Sequence, residues 1–253
     1  MRKKLANLRY LRFIIIPLLK KFNFEFKWKH DLTKRPFYLQ SFYHKGYWFF
    51  GHIREKEELK YFQKLIVKGG NVLEVGAHIG YLTQYFEDLV GFSGRVLTVE
   101  PTPLSLYYLK KNIRPDTIVI EKAASDKCGK VELFIEEFGG FTNSIIAEYT
   151  HSRNAIHQKF QNVASDITSI TVETDTLDNI CSQNSFVPNF IKIDVEGAEY
   201  DVLKGAKSIL NETDALMIEV SRNREKVFTL LTELGFKRID MLIESSNYFF
   251  VKE

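Results

Sequence analysis

The chain is poor in cysteine and proline, and it has no apolar run long enough to cross a bilayer. Its two cysteines, Cys128 and Cys181, allow at most one bridge and offer no metal-ligand spacing, which excludes a disulfide scaffold. Their scarcity fits a reducing, cytoplasmic compartment. Six prolines and fourteen glycines in a chain that is 45% hydrophobic and 26% charged exclude collagen-like and disordered classes. The apolar stretch Phe13 to Leu19 is too short to span a membrane and is broken by Pro17. No small-residue cleavage site accompanies it, so a signal peptide is not expected. A net positive balance is also missing from most of the chain. Residues 1–35 hold eleven Lys or Arg against Glu25 and Asp31, a balance of +9, so the remainder stands at −6 within the net +3. A basic footprint over the whole surface, as nucleic acid would require, is absent.

The 253 residues give room for one large α/β domain or two small ones. We divide them into an N-terminal segment, 1–54, and a main domain, 55–253. In the first, Leu5, Leu8, Leu11, Ile15 and Leu18 recur at helical spacing among Arg9, Arg12, Lys20 and Lys21. Such a basic amphipathic helix either lies on the inner membrane surface through residues 1–30 or packs on the domain or a second subunit. Residues 37–50 are dense in aromatics, which either cap the core or line a substrate cleft. Glu55 to Val67 reads as a helix stopped by Gly69-Gly70.

Beyond the glycines, β-rich runs alternate with helical ones. Strands are expected at Asn71–Val75, Arg95–Val99, Thr117–Ala123, Phe190–Val195, Ala215–Val220, Lys237–Leu242 and Tyr248–Lys252. Helices are expected at Tyr81–Leu89, Leu104–Asn112, Tyr200–Leu210 and Arg224–Leu234. Near-continuous apolar strands need cover on both faces. The pattern predicts a doubly wound, mostly parallel seven-stranded α/β sheet, closed by an antiparallel C-terminal hairpin turning at Ser245-Ser246. Ligands of such sheets sit beyond the carboxyl ends of the strands, so the residues after each strand are the candidates.

The first strand runs into Glu74-Val75-Gly76-Ala77-His78-Ile79-Gly80. Its glycines stand at relative positions one and five, which fails the dinucleotide fingerprint of one, three and six. What remains, acid-x-Gly-x-x-x-Gly, resembles the loop of S-adenosylmethionine (SAM) methyltransferases. SAM presents an ammonium and a sulfonium, and a carboxylate such as Glu74 suits these cations, directly or through water. The second strand ends in Glu100-Pro101, where an acid can accept from both ribose hydroxyls of an adenosine. The third ends in Ala123-Ala124-Ser125-Asp126, small residues that leave space for adenine, with Asp126 able to receive its amino group. The fourth supplies Asp194, Glu196 and Glu199 within Ile193-Asp-Val-Glu-Gly-Ala-Glu199. Period-two alternation puts Asp194 and Glu196 on one side if the strand persists that far.

Together with Leu109-Lys-Lys-Asn112, Thr176-Leu-Asp178 and Leu203-Lys-Gly-Ala206, these strings resemble the FkbM-type methyltransferases from about Glu55 to Val220. The resemblance implies a class I SAM-dependent fold and O-methylation of a hydroxyl, often on a sugar, glycan or polyketide. It implies that Glu74, Gly76, Ala77, His78 and Gly80 hold the methionine end of SAM. Glu100 with Pro101 would hold the ribose, and Ala124, Ser125 and Asp126 the adenine. Asp194 and Glu196 would face the reacting methyl, Asp194 also touching the cofactor. The family commonly has Asn where His78 stands, which leaves the role of that residue less defined.

Methyl transfer from a sulfonium is an in-line displacement in which alignment can supply roughly 7–11 kcal/mol. An alcohol acceptor must also lose its proton, and Asp194 or Glu196 is the candidate base. A metal-free base is the expectation, although clustered carboxylates fit Mg²⁺ equally well. His44, His52, His151 and His157 are alternative bases. The segment Phe138 to Asp166 is long for a connection and is the candidate lid or acceptor wall. Two other readings stand beside this one. Nucleic-acid methylation draws on the basic N-terminus but lacks an Asn/Asp-Pro-Pro-aromatic string, and a catalytically silent SAM-fold docking module would bind without turnover. A homo-oligomer remains open.

Overall fold

The computed structural model describes residues 15–52, 56–136, 142–161, 166–239 and 246–253. Most of the basic amphipathic pattern lies outside the described residues, as do Phe138, the His157 side chain and Ser245 of the expected turn. A helical stretch at 15–21 (α1) leads into an antiparallel hairpin, β1 (Glu25–Lys29) and β2 (Pro36–Gln40), and the short helix α2 (Lys45–Phe50). There follow α3 (Glu58–Leu65), β3 (Asn71–Val75), α4 (Tyr81–Val90), β4 (Arg95–Val99), α5 (Pro103–Asn112), β5 (Ile118–Ile120) and β6 (Ala123–Ala124). Then come β7 (Gly129–Glu136), α6 (Ala147–Gln161), β8 (Ile167–Asp175), α7 (Leu177–Gln183), β9 (Phe190–Ile193), α8 (Glu199–Lys204) and α9 (Lys207–Glu212). The chain closes with β10 (Ala215–Glu219), α10 (Arg224–Glu233), β11 (Phe236–Ile239) and β12 (Asn247–Lys252).

The main sheet has the order β11-β12-β10-β9-β3-β4-β5. It is parallel from β5 to β10, and β12 runs antiparallel to both β10 and β11. This is the doubly wound fold expected, with the topological reversal between β3 and β9. Alternation along each strand divides the core. Leu73, Val75, Ile191, Ile193, Leu216 and Ile218 face α7 through α10, whereas Val72, Val96, Phe190 and Met217 face α3 and α4. On the latter side Phe62 packs against Phe86, Phe190 and Phe249 with ring centroids 5.0, 5.9 and 5.4 Å apart. Burying each of these rings contributes roughly 1.5–3 kcal/mol.

The N-terminal aromatic run caps that same face. Phe37, Leu39 and Phe42 are buried. Gln84 donates to the Pro36 carbonyl at 3.0 Å, and the Tyr38 amide donates to Asn112 Oδ1 at 2.6 Å. The hairpin is thereby tied to α4 and α5, which in turn fix the loop between β3 and α4.

Three expectations need correction. The third strand leaves the main sheet after Ile120, and Ala123–Ala124 pair instead with Thr174 and Asp175 in a small sheet of order β6-β8-β7. The expected helix Tyr200–Leu210 is two helices, interrupted at Gly205, where a Cβ would come within 2.2 Å of the Ser125 carbonyl oxygen. Strand β9 stops at Ile193, so the alternation argument for Asp194 and Glu196 does not apply. Strands β7 and β8 are absent from the expected set, because exposed polar residues interrupt both and leave no apolar run longer than Leu133-Phe134-Ile135.

Candidate functional site

A cleft of about 360 Å³ opens at the carboxyl ends of the parallel strands, lined by the turns after β3, β4 and β9 together with Ala123, Ala124 and Glu219. The turn after β3 starts at Gly76, whose φ is +82°. Its amide donates to the Val99 carbonyl at 2.9 Å, and a Cβ there would lie 1.8 Å from the Asp194 carbonyl oxygen. The loop can therefore lie against the β9 turn only because this residue has no side chain. Gly76→Ala is expected to cost roughly 3 kcal/mol or more, read from the urea midpoint. A loss below about 1 kcal/mol would contradict the packing described.

Ala77 and His78 continue the loop along the cleft, and Gly80 turns it into α4. His78 has a left-handed backbone (φ +49°), its amide donates to Glu100 Oε2 at 2.8 Å, and its Nδ1 lies 2.9 Å from the Tyr47 hydroxyl. The other Glu100 oxygen accepts from the Thr102 amide at 2.9 Å. Glu100 is thus a buried carboxylate fixed by two backbone donors, each oxygen keeping further acceptor capacity. Burial pushes its pKa up. Pro101 and Ala124 line the same region. Ser125 and Asp126 are not brought there. The Ser125 amide donates to the Asp175 carbonyl at 2.9 Å, and Asp126 accepts from Lys204 Nζ at 2.8 Å, which holds its pKa low. The departure of the chain from the main sheet after β5 carries both residues away.

At the other end, oxygens of Asp194, Glu196 and Glu219 lie within 4.8 Å of one another. Glu196 reaches the cluster through a left-handed backbone, φ +53°. The Ser144 hydroxyl donates to its carbonyl at 2.6 Å, and the Tyr149 hydroxyl donates to its Oε2. Arg153 Nε in turn donates to the Tyr149 oxygen at 3.2 Å. Burial, with the charges of Asp194 and Glu219 added, holds the Glu196 pKa well above the usual carboxylate range. Burial and the Asp194 charge push Glu219 up to about 7. Lys192 is the counter-charge. It is buried within β9, and its Nζ donates to the Gly76 carbonyl at 3.0 Å. The same ammonium lies 3.2 Å from Asp194 Oδ2 and 3.8 Å from Glu74 Oε1. Glu74 lines the cleft but is almost wholly buried, accepts from the Thr83 hydroxyl at 2.6 Å, and is pushed up to about 7 by burial.

Glu199, the third acid of the string, lies beneath the turn. Its Oε1 accepts from the Gly197 amide at 2.6 Å, and burial raises it to about 7. A carboxyl raised in the folded state is protonated there while the unfolded chain, with its ordinary value of 4.5, has already ionised. Stability therefore falls as pH rises from about 4.5 to about 7. Glu199→Gln is expected to be more stable relative to wild type at pH 8 than at pH 5, by an amount on the order of 1–3 kcal/mol. Equal differences in urea midpoint at the two pH values would contradict this.

A sequence model of the methyltransferase FkbM domain matches residues 74–250, well over half of the chain. The chain belongs to the FkbM methyltransferase family. It is accordingly a SAM-dependent methyltransferase, and the match begins at Glu74, the acid just before the turn that follows β3. No curated protein gives a significant match to the sequence. Among solved structures, ribosomal protein L11 methylase from Lactobacillus delbrueckii subsp. bulgaricus is 12% identical with a TM-score of 0.47, over 80% of each chain. Aeropyrum pernix fibrillarin with natively bound SAM is 13% identical with a TM-score of 0.42, over 74% of this chain and 68% of that one. The Methanococcus jannaschii fibrillarin pre-rRNA processing protein is 14% identical with a TM-score of 0.41, over 74% and 67%. Likenesses this distant leave the acceptor of the methyltransferase undetermined.

The cleft fits the methyl donor in the chemistry of its donor set. Small residues and a buried acid for hydroxyls stand at one end, and carboxylates for cations at the other. His44, His52 and His151 do not line it. His44 is buried, its Nδ1 accepting from the Gln40 amide at 2.9 Å. Of the candidate wall from Phe138 to Asp166, residues 142–145 and Arg153 do line the cleft. Sequence reasoning reached Tyr47 only as part of the aromatic run and Tyr149 and Arg153 only as part of the candidate wall, and it missed Lys192 and Glu219. The last two carried a readable signal, a lysine inside an apolar strand and an acid at a strand's carboxyl end.

Proposed function

We propose that this methyltransferase methylates a hydroxyl group on a sugar, glycan or lipid-linked acceptor, with Asp194 as the general base. The carrying observation is the carboxylate cluster at the cleft wall, with one member, Asp194, ion-paired to a buried lysine. Bound SAM supplies a methyl group on a sulfonium already activated for displacement. Glu100, with Pro101 and Ala124 beside it, takes the ribose end, and the loop Gly76-Ala77-His78 borders the methionine end. Asp194 accepts the acceptor's hydroxyl proton, and Lys192 at 3.2 Å holds its carboxyl group in place. Glu196, pinned by Tyr149, and Glu219 supply acceptors for neighbouring hydroxyls of a polyol. The cluster's spacing also supports a second reading, a divalent cation held by Asp194, Glu196 and Glu219. The Lys192 ammonium beside Asp194 opposes a further positive charge and favours the metal-free base.

The test incubates the purified chain with methyl-labelled SAM and separate glycan, glycolipid and RNA pools, with and without chelator. Label on a glycan or glycolipid oxygen, insensitive to chelator, supports the proposal. Label confined to RNA would replace it with nucleic-acid methylation. Chelator-sensitive label would select the metal reading, and SAM binding without transfer to any pool would favour a silent docking module.

A further inference from the structure

Among the described residues, exposed large apolar side chains gather on the N-terminal hairpin and its flanking helices: Leu18, Phe22, Phe24, Trp28, Phe49 and Phe50. The rings run on from one to the next. Phe26 lies 5.7 Å from Phe24, 6.2 Å from Trp28 and 6.3 Å from Trp48. Trp48 lies 6.1 Å from Phe49, and Phe49 4.9 Å from Phe50. Phe22 is 62% exposed and Phe24 58%, a cost in water that a monomer's surface does not ordinarily sustain over a continuous strip. Lys21 Nζ lies 5.5 Å over the exposed Phe22 ring, and along β1 the exposed Lys27 and Lys29 alternate with Phe26 and Trp28 and so stand on the other face of the strand. Within residues 15–52 seven basic residues stand against Glu25 and Asp31, and Glu25 is already held by Lys111 at 2.8 Å. The strip is continuous with the cleft, because α2 carries Tyr47 in the cleft wall and Phe49 and Phe50 on the exposed side.

We propose that β1 and α2 form a docking face for an anionic phospholipid bilayer, which sets the mouth of the cleft at the membrane surface. Aromatic rings with lysines beside them match the interfacial layer, where rings enter the acyl boundary and ammonium groups stay at the headgroups. No described helix is long and apolar enough to cross a membrane, so the contact is peripheral. The proposal does not depend on which acceptor is methylated.

The test is sedimentation of the full chain with vesicles of phosphatidylcholine alone and of equal parts phosphatidylcholine and phosphatidylglycerol, alongside calorimetry with SAM. Wild type is expected to bind the anionic vesicles at least about tenfold more tightly than the neutral ones. Lys27→Glu with Lys29→Glu should weaken anionic binding by about tenfold or more, since each basic residue near such a surface is worth about fivefold. Phe49→Ser with Phe50→Ser should weaken it about as much, whereas Phe92→Ser, an exposed ring elsewhere on the surface, should not. SAM affinity should be unchanged in every variant, which shows that the fold is intact. No wild-type binding to anionic vesicles, or undiminished binding in both double variants, would overturn the proposal. A dimer detected by light scattering that Phe49→Ser/Phe50→Ser abolishes, without vesicle binding, would overturn it in favour of a self-association face.

Discussion

Asp194→Asn is expected to lower kcat by about 10²–10⁴-fold, the range a positioned acid–base group supplies, while changing SAM affinity by less than about threefold. Asparagine keeps the shape of the side chain and its place after β9, where the Asp194 amide donates to the Val75 carbonyl at 3.0 Å. It cannot take up a proton. Lys192 retains the Gly76 carbonyl at 3.0 Å and Glu74 at 3.8 Å, so the variant does not strand a buried charge and the fold should hold. Single-turnover rates and calorimetry on the same preparation separate the two effects. Wild-type turnover would move the base to Glu196 or Glu219, and a SAM affinity that collapsed together with turnover would make Asp194 a cofactor ligand first.

Glu100→Ala is expected to weaken SAM binding by about 100-fold. Two hydrogen bonds from ribose hydroxyls to a buried carboxylate are worth roughly 1.5–3 kcal/mol each, and part of that is recovered by water entering the space left by the side chain. The variant also releases the amides of His78 and Thr102, which the carboxylate now accepts, so the loop after β3 loses its anchor to β4. A fall in melting temperature should accompany the weaker binding, with the far-ultraviolet circular dichroism of the native sheet retained. Glu100→Gln keeps one acceptor oxygen and should lie between the two. Affinity unchanged in the alanine variant would refute the ribose assignment.

The sheet was legible because its central strands, β3, β4, β9 and β10, are buried on both faces. Val72-Leu73 and Phe190-Ile191 have no polar alternation to disguise them, and glycines mark the turns. The rule that chemistry follows strand ends pointed to Glu74, Glu100 and Asp194, and all three line the cleft. Applied once more, to Leu216-Met-Ile-Glu219, it would have found the third carboxylate of the cluster. It failed for Ser125 and Asp126 because a two-residue strand, Ala123–Ala124, answers to Asp175 rather than to the main sheet, and pairing between segments some fifty residues apart leaves no local trace. Glu196 joins the cluster by a positive φ, and no alternation of residues announces a left-handed turn at a glutamate. Tyr149 and Arg153 belong to α6, whose approach to the cleft is set by the bridge between Phe134 and Ser144. That contact is tertiary, and the amphipathic pattern of the helix is too faint to forecast it. Lys192 was visible all along as a charge in an apolar strand, which burial tolerates only with partners at hand.

The most direct measurement is a crystal structure of the chain with S-adenosylhomocysteine. The ribose hydroxyls should lie within hydrogen-bond distance of Glu100, with the base against Ala124 and the sulfur directed toward Asp194. Density for the ligand away from Glu100, or with its sulfur turned from the carboxylate cluster, would contradict the placement on which the mechanism rests.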